Sequence, residues 1–116
     1  MARKLERAEW RPFLDRVSKG LAGKQAEIKV ASLDLGDQLQ AGWVSLIGLV
    51  YDPKDDIVEV AIEGLDHMIH KPRELYVEDE GGQLSSLEVV DADGGRQIIK
   101  LKDMLLLPAG EQFPTA

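Results

Sequence analysis

The 116-residue chain contains no cysteine. That excludes disulfides, thiolate nucleophiles, iron–sulfur clusters and cysteine zinc sites together. Asparagine is missing too, so there is no N-glycosylation acceptor. No apolar run approaches the ~20 residues of a bilayer helix; the longest, Ala41 to Val50, is about half that. The basic start, Met1 to Leu5, passes into Glu6-Arg7-Ala8-Glu9 rather than into the apolar core of a signal peptide. These absences predict a cytoplasmic protein with no membrane partner.

What is present suits one domain. Apolar residues make up 44% of the chain, an ordinary globular share, and a chain this long buries roughly two-thirds of its unfolded surface. The net charge of −7 is unevenly spread. Residues 1–30 carry eight Lys/Arg against four Asp/Glu, whereas residues 31–95 carry three against fifteen. An acidic body repels phosphate backbones, so no nucleic-acid partner is expected. The basic segment, with its interspersed acids, fits a solvated helix face.

Trp10, Phe13, Leu14, Val17 and Leu21 recur at helical spacing and define one apolar stripe. Pro12 is best tolerated in a first turn, which predicts a helix start between Glu9 and Arg11, and Gly20 or Gly23 can end it. From Ala26 the period changes to two. Ile28 and Val30 alternate with charged neighbours, and Leu39 to Tyr51 is apolar on both parities, as in a strand covered on both sides. Trp10 and Trp43 are both expected in the core.

Asp52-Pro53-Lys54-Asp55-Asp56 is a turn, followed by a strand with Val58, Val60 and Ile62 inward and Glu59 and Glu63 outward. Leu65 to Pro72 fits a helical turn or an irregular strand. Leu75 to Val77 is a short strand, and a hairpin of Leu84–Val90 and Arg96–Leu101 closes on Asp91 to Gly95. Met104 to Leu107 can add an edge segment. The expected fold is α+β and mainly β: an N-terminal amphipathic helix on a curled antiparallel sheet of five to six strands, an Sm-like or SH3-like half-barrel. The domain spans residues 1–107, and 108–116 form a mobile tail.

No catalytic constellation emerges. His67 and His70 are the only histidines. On a helical turn their spacing would place both imidazoles on one side beside Asp66, but a metal site needs at least three convergent ligands and a supporting shell. Asp91-Ala92-Asp93-Gly94-Gly95 departs from a calcium loop, with Arg96 at the glycine position and Lys102 at the glutamate position, and is better explained as a turn. There is no GxSxG elbow and no phosphate-binding glycine motif. No catalytic residue, metal or cofactor is therefore assigned. The candidate binding segment comprises Asp66, His67, His70, Arg73 and Tyr76, where titratable, basic and aromatic groups concentrate.

Several segments act as recognisable words: Glu9-Trp10-Arg11-Pro12-Phe13, Ala31 to Gln38, Tyr51 to Asp56, Glu63 to His67 with Pro72-Arg73-Glu74, and Leu87 to Gly94. Over about residues 5–107 the chain resembles a family of short bacterial proteins known only as a domain of unknown function. The resemblance implies a bacterial, stand-alone domain and carries no assigned chemistry. Two functions compete. One is a non-enzymatic interaction module that binds a protein partner or a second copy at a sheet edge. The other is a small metal- or ligand-dependent enzyme using Asp66 to Arg73.

Overall fold

The computed structural model describes residues 2–20, 24–32, 36–80 and 83–106. It contains one helix, α1 (Arg7–Ser18), and the strands β1 (Ala2–Leu5), β2 (Gln25–Ser32), β3 (Gly36–Asp52), β4 (Ile57–Ile62), β5 (Leu65–His70), β6 (Pro72–Glu80), β7 (Gln83–Asp91) and β8 (Arg96–Leu106). Every pairing is antiparallel, in the order β1-β6-β7-β8-β2-β3-β4-β5. The fold is mainly β with one helix, as expected. The sheet is larger than expected, with eight strands instead of five to six, and it is not closed: β1 and β5 are its terminal strands. The proposed tail, 108–116, lies outside the described residues.

A strand comes first, not the helix. β1 has only four residues and pairs with the distant β6, Leu5 opposite Leu75. Leu5 is buried, and its carbonyl accepts from the Trp10 indole N–H at 3.1 Å. The helix then starts at Arg7, earlier than Pro12 suggested. The Glu6 N–H donates to Glu9 Oε1 at 3.1 Å, and the Glu9 N–H donates to the Glu6 carbonyl at 2.8 Å. These bonds fix the first turn, so Pro12 falls in the second, where it cannot donate back to Ala8.

Trp10, Phe13, Leu14 and Val17 form the expected buried stripe, while Leu21 lies outside the described residues. The stripe packs into one core with Leu46, Leu49, Tyr51, Val60, Leu75, Val77, Leu87 and Ile99. Val58, Val60 and Ile62 of β4 do face inward, as their alternation predicts.

β3 joins the two parts of the sheet. β2 pairs with it as far as Ser45, and β4 pairs with it from Leu46 onward. A register shift between Leu46 and Gly48 resets the alternation, so that Leu46 and Leu49 both reach the core. β3 is therefore not covered on both sides. Trp43, Ile47 and Val50 are 41%, 61% and 43% exposed, which moves Trp43 from the expected core to the surface. The edge of β3 beyond β2 is capped by α1: Ser18 Oγ donates to the Leu49 carbonyl at 2.6 Å and accepts from the Leu49 N–H at 2.7 Å. Among the described residues, no helix is long and apolar enough to cross a membrane.

Candidate functional site

Leu65 to His70 is a regular strand. It follows β4 through the two-residue turn Glu63-Gly64, with Gly64 at φ 88, and pairs from Ile62↔Leu65 to Ile57↔His70. In a strand, residues three apart leave opposite faces. His67 and Ile69 point inward, His67 half-buried and Ile69 buried, while Asp66, Met68 and His70 are exposed on the outer face. The two imidazoles are therefore not neighbours. Among the described residues, no three His, Asp or Glu side chains gather as a metal site requires.

His67 joins an inner polar chain. Its Nε2 meets Gln97 Oε1, and Gln97 Nε2 donates to Asp91 Oδ2 at 3.2 Å. Asp91 Oδ1 accepts from the Asp93 and Gly95 amides, each at 2.9 Å. The Asp91 carboxylate only accepts, which fixes the Gln97 amide with its oxygen toward His67. His67 must then donate, so its proton sits on Nε2. The chain ties β5 to the β7–β8 turn. Gln97 shares its parity with buried Ile99 and Leu101, a signal that was readable in the sequence.

The remaining candidates lie apart. Arg73 is exposed at the start of β6 and donates from Nε to the Asp91 carbonyl at 3.1 Å. It is linked to His67 only through Asp91 and Gln97. Tyr76 sits in the other part of the sheet, on β6, where its hydroxyl donates to Glu74 Oε2 at 2.9 Å. That bond to a carboxylate, together with burial, raises the Tyr76 hydroxyl above the usual phenol range. The structure thus places Asp66 and His70 together with Met68, and leads His67, Arg73 and Tyr76 elsewhere.

On the outer face, Val50, Glu59 and Met68 are cross-strand neighbours on β3, β4 and β5. A groove of about 540 Å³ begins here and continues past Ile57 and the Asp52–Asp55 turn to Arg11 and Asp15 of α1. Burial and a hydrogen bond with Asp66 hold the Glu59 carboxyl above the usual carboxylate range. Outside the groove, Arg7 donates to the Tyr51 hydroxyl at 3.0 Å, to Asp56 Oδ1 at 3.3 Å and to the Pro72 carbonyl at 2.9 Å. Its guanidinium lies 4.3 Å from the Trp10 ring centroid. Arg7 thereby pins the helix start to the β3–β4 turn and to the β5–β6 corner, where Asp56 and Lys71 both hold positive φ.

The backbone of β5 completes the site. In a two-residue hairpin the closing pair, Ile62↔Leu65, is hydrogen-bonded, and so are the alternate pairs Val60↔His67 and Val58↔Ile69. The N–H and C=O groups of Asp66, Met68 and His70 consequently turn away from β4, toward the open edge of the sheet.

The chain matches the model of a family of unknown function, DUF5335, over residues 1–110. It is 39% identical over 105 residues to an uncharacterised protein of Aquifex aeolicus, covering 90% of this chain and 95% of that relative. No solved structure matches it. A match over nearly its whole length, of the extent the sequence words suggested, makes this chain a member of the DUF5335 family.

Proposed function

We propose that the protein is a non-enzymatic interaction module of the bacterial cytosol that takes an extended segment of protein onto the β5 edge. The observation that carries this reading is the edge itself. Among the described residues no strand pairs beyond β5, so Asp66, Met68 and His70 turn backbone groups to a terminal edge, and Met68 is 45% exposed beside the groove. A strand added there gains ladder hydrogen bonds for affinity and neighbouring side chains for specificity. Proteins usually blunt such edges with charge, proline or a covering element, and here α1 covers β3 but not β5.

The competing enzyme reading has less support, because the Asp66–Arg73 segment sends its two imidazoles to opposite faces and, among the described residues, no three His, Asp or Glu side chains gather around either. A photo-crosslinking residue at position 68 tests the interaction reading. Adducts to a protein chain should form from position 68 and not from position 100, an exposed site on β8. Equal yields from both positions, or none from either, would sink it.

A further inference from the structure

We infer that the chain held at the β5 edge is a second copy of this protein, paired antiparallel about a two-fold axis at Met68, with Asp66 of each copy opposite His70 of the other. This rests on the edge-binding reading above and names its occupant. Groups directed outward at every second residue, Asp66, Met68 and His70, are the pattern an antiparallel neighbour requires. A two-fold axis at Met68 makes Met68↔Met68 and both Asp66↔His70 pairs hydrogen-bonded, about six new backbone bonds in all.

The side chains choose the register. Asp66, Met68 and His70 share the outer face and are all exposed. An axis at Asp66 would set carboxylate against carboxylate, and an axis at His70 would set imidazole against imidazole. An axis at Met68 alone pairs unlike groups at both ends and thioether with thioether at the centre. The strand is complementary to itself in that register, as a two-fold interface demands.

Charge points the same way. Asp66 lies beside Glu59, and among the described residues neither carboxylate has an ion pair with a cation. Their cross-strand partners, Ala61 for Asp66 and Val50 and Met68 for Glu59, supply none. His70 of the second copy brings a donor to the Asp66 carboxylate from across the β5 edge.

Sedimentation equilibrium over a concentration series reaching about 1 mM, at low salt, tests the pairing. The wild type should show a concentration-dependent dimer. His70→Asp opposes two carboxylates at each end and should weaken the dimer at least about tenfold. The double variant Asp66→Lys/His70→Asp restores unlike pairs and should recover most of the loss. Met68→Pro removes a donor that only the second copy uses, so it should abolish dimers while keeping the wild-type circular dichroism spectrum.

A monomer at every concentration overturns the inference, and so does a dimer indifferent to the charge exchange. Failure of the underlying reading looks different. A monomer that still gives position-68 adducts to another protein leaves the edge in use with a different occupant. A monomer without adducts removes both.

Discussion

Gln97 and His67 show how one residue's chemistry is settled by another. The Gln97 amide is held between a carboxylate and an imidazole, so its orientation and the His67 tautomer form one choice. We predict a proton on His67 Nε2 by nitrogen-detected NMR; a signal for a bare Nε2 would refute the arrangement. Gly95→Ala should loosen it, because a Cβ there would lie 2.8 Å from Asp91 Oδ2. The titration of Glu59 gives a second test. Its folded carboxyl holds a proton more tightly than an unfolded glutamate of pKa ~4.3, so the folded state binds more protons above that pH. Stability from this group is therefore lost as pH rises through the window above ~4.3. Glu59→Gln should remove that slope from urea unfolding curves between about pH 4 and 6, gaining on wild type toward neutrality. Of these residues, His67 stood out in the sequence as a candidate but its partner did not, since Gln97 meets it from thirty positions away in the chain, beyond any local pattern.

At the scale of elements, periodicity located what it could encode. The α1 stripe and the β7–β8 hairpin were legible because both are local patterns, one of period 3.6 and one closed by Asp91 to Gly95. Phe13→Ala should cost roughly 3–5 kcal/mol by chemical denaturation, as truncation of a buried aromatic does. A loss below about 1 kcal/mol would make the helix peripheral. β1 was illegible for the opposite reason: Ala-Arg-Lys-Leu is too short to show alternation, and its strand conformation comes from pairing with β6. β5 was ambiguous because two histidines and a methionine suit either conformation, until the Gly64 turn and β4 impose the register. Trp43 was misplaced because apolar residues on both parities of β3 read as cover on both faces, whereas Trp43, Ile47 and Val50 remain exposed.

For the whole molecule, the net charge of −7 decides what stays away. Duplex DNA and single-stranded RNA should not bind below micromolar concentration at physiological salt in anisotropy titrations; tight binding that weakens steeply with salt would make the basic face of α1 a site. Element order was legible in outline, but the eight-stranded order was not, since it depends on which distant edges meet.

The hand-over along β3 has a thermodynamic consequence. Along β3 the register with β2 stops at Ser45 and the register with β4 starts at Leu46. The two ladders therefore meet end to end, joined by the covalent chain and by two backbone bonds, Leu46 N–H to the Lys24 carbonyl at 2.7 Å and Glu63 N–H to the Ser45 carbonyl at 3.0 Å, with the Ser18 clasp on Leu49 beside them. The β4–β5 hairpin should behave as its own cooperative unit, opening at a lower free energy than the β6–β7–β8 ladder. Native-state amide exchange against denaturant should resolve two isotherms, and Ser18→Ala should lower the first while sparing the second. A single isotherm shared by Val60 and Ile99 would mean that the end-to-end junction transmits cooperativity as well as a continuous ladder does.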